Sequence, residues 1–336
     1  MGLVTNIQMF SDRSVLEAIA SRGTAVAIGM RFTSTSTIST VDTWSATAIL
    51  TNVTATSGGG DASVLAILRT NVALAIVIGN IWLLADRSSL LSKAWDGVCS
   101  MGVTVYSGSG SGDLKNISMT AIQSNVTSVG RSAVCSVGFC AYGGGGSHLN
   151  MSVVTMSAMS STIASRATSV ATSSLGVAVD SYTGASCVNE RMTILAVATN
   201  VSSRGIHSVA GMGVAVLGSG DNTASVSRHL ALSTVNSVVA SAGTSTVCSL
   251  GVALHAGSNG TVEWAGATII SISSNVTPKT DLSGHSASAL GIASVVIGRY
   301  GINSVTNVTL IAVKSTVTAT TGMVASSMGG TMYCDG

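Results

Sequence analysis

A seven-residue signature, small-x-apolar-Gly-apolar-x-apolar, recurs at a nearly constant interval and limits the folds open to this chain. It reads Cys99-Ser-Met-Gly-Val-Thr-Val105, Cys135-Ser-Val-Gly-Phe-Cys-Ala141, Ser173-Ser-Leu-Gly-Val-Ala-Val179, Ala210-Gly-Met-Gly-Val-Ala-Val216, Cys248-Ser-Leu-Gly-Val-Ala-Leu254 and Ser288-Ala-Leu-Gly-Ile-Ala-Ser294. The central glycines, continued by Gly329, are 36, 38, 37, 38, 40 and 38 residues apart. Gly29 lies 73 residues before Gly102, two units with a degenerate copy near Ala66 between them. Such a period implies an array of about eight units, each burying its apolar face on the next. The expected organisation is an N-terminal segment, 1–25, and an array over 26–336. Its units start near Gly29, Ala66, Gly102, Gly138, Gly176, Gly213, Gly251 and Gly291, with a last one cut short at Gly329.

Within a unit, period-two pairs such as Val177 and Val179 or Val214 and Val216 are what a half-buried strand needs. Gly-rich turns follow, as in 107–112, 143–147 and 218–222. A second stretch rich in β-branched residues comes next, such as 192–198 or 308–313, and then a short Ser/Ala/Val segment. Three strands in about 37 residues match one coil of a right-handed parallel β-helix, eight of which make a rod of about 40 Å. The single proline, Pro278, fits strands whose N–H groups are all engaged. The competing architecture is a β-propeller, whose blades take roughly 40 to 45 residues. Helix signals are confined to the capping box Ser14-Val-Leu-Glu17, which predicts a short helix covering the first coil, and to a helix-compatible stretch over 86–95.

Charged residues make up only 8% of the chain and the net charge is +2, so no basic stripe marks a nucleic-acid partner. The longest apolar run, 72–85, contains Asn80 and falls short of the roughly 18 to 20 residues that span a bilayer. It predicts a buried strand pair or core helix, with a membrane span as the alternative. No cleavable leader is visible at the N-terminus, and the array ends within a repeat, so we expect a piece of something longer.

The most regular polar station is an asparagine 23 or 24 residues after the signature glycine: Asn52, Asn125, Asn200, Asn236 and Asn275. Four of these open Asn-Val-Thr/Ser, and the chain carries eight N-glycosylation sequons, at Asn52, Asn116, Asn125, Asn150, Asn200, Asn259, Asn275 and Asn307. Two readings stand side by side. Glycans would cover a surface poor in charge, and stacked asparagines would form a hydrogen-bonded ladder up the solenoid.

Cys99, Cys135 and Cys248 all stand three residues before a signature glycine and share one column; buried free thiols are expected there. No Cys-x-x-Cys pair or accompanying histidine suggests a metal site, and no cofactor is expected. Counted from the preceding glycine, His148, His207, His229, His255 and His285 fall at 10, 31, 16, 4 and 34, which puts no two in one column. Acids are equally scattered, so no catalytic residues are assigned. Gly108 to Asp113 reads as a surface turn, without the Gly-Lys-Ser/Thr ending of a phosphate loop. Tyr106, Tyr142 and Tyr333 share the position four past the glycine.

The Val/Ser/Ala/Gly-rich units, with Ser-Asn125-Val-Thr-Ser128, Thr-Asn200-Val-Ser-Ser203 and Ser-Asn275-Val-Thr277, resemble kinetoplastid surface proteins of the dispersed-gene-family type. The resemblance is one of repeat texture over most of the chain. It implies large, membrane-anchored, glycosylated and adhesive proteins with β-helix-like repeats. The function expected is therefore that of a non-enzymatic stalk or adhesion surface, at the cell surface or secreted. Its partners would be host or cell-surface glycans or proteins, and membrane attachment would come through parts absent from this chain. A polysaccharide-acting lyase or hydrolase on the same rod is the alternative.

Overall fold

The alternating segments stack into three parallel sheets in a computed structural model. It describes residues 2–33, 39–70, 76–95, 97–106, 111–143, 147–168, 171–181, 185–221, 224–258, 261–280, 285–297 and 302–335. Each rung of the stack contributes in order to sheets A, B and C. The first rung is Gly2–Asp12, Val15–Ala20 and Ala25–Thr33; the fourth is Ser111–Ile122, Asn125–Gly130 and Val134–Gly143. Among the described residues sheets B and C hold nine strands each, close to the eight coils expected, and sheet A follows the same order. Every strand pairs with its equivalents in the rungs above and below, which is a β-solenoid and not a propeller.

The inward face is built from columns of like residues. Leu16, Val53, Leu90, Val126, Ile163, Val201, Val239, Val276 and Val317 stack along sheet B. Their branched side chains suit the pleat, and stacking removes each from water on both sides. Where sheet A turns into sheet B the inward column narrows to Ala48, Ala85, Ala121, Ala158 and Ala196, all buried. Only small side chains fit inside a corner this tight.

The kink of sheet A and the A-to-B corner have a chemistry of their own; of the Gly-rich turns anticipated after the signature strand, 107–112 and 143–147 fall largely outside the described residues, and 218–221 ends the strand Ser208–Asp221. Sheet A kinks at Asn6, Thr43, Asn80, Asn116, Val153, Arg191, His229, Gly266 and Asn307, each with positive φ. The A-to-B corner places Arg13, Leu50, Arg87, Gln123, Ser160, Ala198, Asn236, Ser273 and Lys314 at φ between 46 and 50°. Serine or threonine follows in every rung, and these hydroxyls form a buried ladder. Ser161 Oγ accepts the Ser124 N–H at 3.1 Å and shares its proton between the carbonyls of Met159 (2.8 Å) and Ala121 (3.2 Å). The same pattern links Thr51 to Ser88, Ser88 to Ser124, Thr199 to Ser237 and Ser237 to Ser274.

Several expectations are corrected here. The supposed capping helix over 14–21 is a strand, Val15–Ala20, so the first 25 residues belong to the array. The stretch 86–95 contains the strand Ser89–Lys93 instead of a helix, whereas the described part of the apolar run lies in the strand Ile76–Asp86 of sheet A, in keeping with the strand reading and not the core helix. Alternation decides both: Leu90 points inward beside exposed Leu91, and Ile81 and Leu83 point inward on either side of exposed Trp82, a period of two that a helix does not produce. Among the described residues no helix is long and apolar enough to cross a membrane. Residues 107–110 lie outside the described residues, while Ser111 to Asp113 open a strand.

Candidate functional site

The glycine signature makes a sharp bend in every strand of sheet C. Gly29, Ala66, Gly102, Gly138, Gly176, Gly213, Gly251, Gly291 and Gly329 form one column, in which all the glycines have φ between 123 and 154°. A Cβ at Gly138 would stand 1.7 Å from the Gly176 carbonyl oxygen, which is why the position is glycine. The bend turns the residue three before the glycine toward the residue two after it. Small pairs fill that space, such as Cys248 with Ala253. The earlier residue also donates to the next rung's glycine carbonyl: Ser173 to Gly213 at 3.1 Å, Ser288 to Gly329 at 2.8 Å, Cys99 to Gly138 at 3.4 Å.

Two clusters arise from this bend. Cys135 and Cys140 are disulfide-bonded, which corrects the expectation of a free thiol at Cys135; Cys99 and Cys248 are free and buried as expected. The Cys99 sulfur lies within 4.8 Å of both bonded sulfurs, and burial pushes its thiol up to about 12. Histidines also gather, against the expectation that no two share a column. His207, Ser245 and His285 occupy equivalent places in rungs 6, 7 and 8, each preceding one of the paired residues Ser208, Thr246 and Ser286. His255 faces them across the bend: its Nδ1 is 3.1 Å from Ser245 Oγ, His285 Nδ1 is 3.5 Å from that oxygen, and the His207 and His255 ring centroids are 5.5 Å apart. Burial, and then the neighbouring His207 and His285 charges, lower His255 to about 4. Counting back from the following glycine would have revealed the column, because His207, Ser245 and His285 all stand six before it.

The asparagine station resolves into two. Asn52, Asn125, Asn200 and Asn275 each open a strand of sheet B in one column, with Val15, Ser89, Thr162, Val238 and Thr316 in the rungs between. Alternation places them about 10 Å apart, so they cannot form the expected ladder. Asn236 belongs to the corner column instead, and it is the hydroxyls that make a ladder. A short asparagine link does occur at the kink of sheet A, where Asn116 Nδ2 donates to Asn80 Oδ1 at 2.5 Å and Asn80 Nδ2 donates to Asp42 Oδ1 at 2.7 Å. Asn307 shares that kink column, and Asn150, in sheet A, donates to Asp113 Oδ1 at 3.0 Å. All seven of these sequon asparagines are exposed; Asn259 lies outside the described residues.

Beside the asparagines, the outer face of sheet B forms a groove of about 560 Å³. One column of its floor is Thr127, Ala164, Ser202, Ala240 and Thr277, and Thr318 continues the lining in rung 9. Arg166, Arg204 and Lys279 border it. On sheet A, Asp113, Lys115 and Glu190 line a smaller groove of about 460 Å³. The two acids there are two rungs and two positions apart, roughly 12 Å between Cα atoms. Tyr106, Tyr142 and Tyr333 share their column with Asp180, Leu217, His255 and Val295. No family model, curated protein or solved structure matches the chain.

Proposed function

We propose that this chain is a non-enzymatic β-solenoid segment of a cell-surface or secreted glycoprotein, serving as a rigid stalk or adhesion surface, as its resemblance to kinetoplastid dispersed-gene-family-like proteins implies. The observation that carries this reading is the exposure of every described sequon asparagine, which leaves each of them open to a glycan. The spacing of about 10 Å along sheet B suits side chains carrying bulky groups, which neighbouring rungs would crowd. A Cys135–Cys140 disulfide fits an oxidising compartment. N-glycosidase treatment of the protein isolated from its native cell tests the reading. A ladder of mobility shifts supports it, and an unshifted band overturns it.

A further inference from the structure

We infer that the outer face of sheet B, from rung 4 to rung 9, is a docking groove for a linear anionic polysaccharide. This deepens the adhesion reading by naming a class of partner. The cations come from one column, which runs Lys93, Val129, Arg166, Arg204, Ala242, Lys279 in successive rungs. Arg166, Arg204 and Lys279 are exposed, and all three line both the groove and its continuation past Gly205 and Gly243.

The charges are placed against the interest of the fold. With 15 basic residues in 336, a column holding Arg166 beside Arg204 and Lys279 two rungs on is a concentration. Like charges on adjacent strands repel and weaken the sheet. Sheet A shows the relieved arrangement: Arg228 lies 3.7 Å from Glu190 and 3.3 Å from Glu263 in the rungs on either side. Among the described residues the three groove cations make no such ion pair. Asp281, two residues beyond Lys279, lies outside the described residues.

The floor selects among anionic polymers. It is a flat strip about 24 Å long over six rungs, with hydroxyls of Thr127, Ser202 and Thr277 alternating with the methyls of Ala164 and Ala240. A single-stranded nucleic acid needs aromatic platforms for its bases, and among the described residues no aromatic side chain lines the groove. A peptide adding as a strand needs a free sheet edge, whereas this is a face whose backbone is paired above and below. A sugar chain along the rod axis would meet the hydroxyls with its own and present sulfates or carboxylates to the arginines, whose fork suits both.

Heparin oligosaccharide is the probe, used with the full chain before and after N-glycosidase treatment, because Thr127, Ser202 and Thr277 are also the third residues of three sequons. The Arg166→Ser/Arg204→Ser/Lys279→Ser variant should bind at least about tenfold more weakly, with a flatter salt dependence. Arg22→Ser/Arg31→Ser/Lys115→Ser removes the same charge from exposed sites elsewhere and should retain most of the affinity. Equal losses in the two variants, no binding by the deglycosylated wild type at low salt, or equally tight groove-dependent binding of oligo-deoxythymidylate would each overturn the inference. A missing glycosidase shift would sink the glycoprotein reading and leave the groove standing. Failure of heparin binding would do the reverse.

Discussion

Cys135 and Cys140 lie five residues apart in one strand, yet their Cα atoms are 6.0 Å apart, where an extended strand would separate them by about 17 Å. The column of positive-φ glycines makes that bend, and at Gly138 a side chain would meet the next rung's backbone. Gly138→Ala should destabilise the protein by about 3 kcal/mol or more, since the new methyl meets backbone and not a side chain that can yield. Gly330→Ala is the matched control: nothing lies within 4 Å of its Cβ position, and its effect should stay within about 0.5 kcal/mol. Denaturant unfolding of the two variants measures the contrast, and equal losses would refute it.

The hydroxyl ladder supports a second expectation. Ser161→Ala leaves the buried Ser124 N–H without its acceptor and should cost about 1 to 3 kcal/mol. Ser161→Thr should be nearly silent, because Thr199 fills the same role in rung 6, its Oγ1 accepting the Ser161 N–H at 3.4 Å and donating to the Ala158 and Val197 carbonyls. Urea midpoints for both variants test this; a silent alanine variant would mean that water reaches the corner.

How much of this was legible in the sequence depends on distance along the chain. The glycine period showed the solenoid because every rung repeats the same bend. The inward valines were visible by their alternation. The ladder was missed although Ser or Thr precedes every sheet B strand of rungs 2 to 9, since serine is common throughout and carries little signal alone. The histidine cluster was hidden because rung length varies between sheets B and C, where Asn200 to Ser208 is eight residues but Asn275 to Ser286 is eleven, so counting forward from Gly176 or Gly251 loses register. The groove cations needed pairing information: Arg166 and Arg204 are 38 residues apart, and only the register makes them neighbours.

Thiol chemistry tests the burial of the free cysteines. Cys99, Cys187 and Cys248 are buried, and desolvation raises each to about 12. Under native conditions at pH 8 they should resist iodoacetamide and become labelled on unfolding, because the reactive thiolate is suppressed and shielded. Peptide mapping by mass spectrometry distinguishes this from rapid native labelling, which would place these side chains on the surface.

The dependence of stability on pH should have two limbs from one column. Asp180 is buried at 2% exposure with an unpartnered Oδ2, and desolvation raises it from 3.8 to about 7. The folded state therefore holds the proton more tightly than the unfolded chain, so Asp180's contribution is fully present below pH 3.8 and is lost as pH rises to about 7. His255 acts in the opposite sense. Lowered from 6.5 to about 4, it leaves stability intact above pH 6.5 and erodes it as pH falls toward 4, when the unfolded chain takes up the proton first. Asp180→Asn should abolish the upper limb, making the variant more stable relative to wild type at pH 8 than at pH 4 by on the order of 4 kcal/mol. Leu217, the next residue in the column, shows that the position does not require a charge. Thermal unfolding between pH 4 and 8 tests this directly: parallel curves for the two proteins would mean that Asp180 is hydrated, and that the mouth of the sheet C bend is open to water at rung 5.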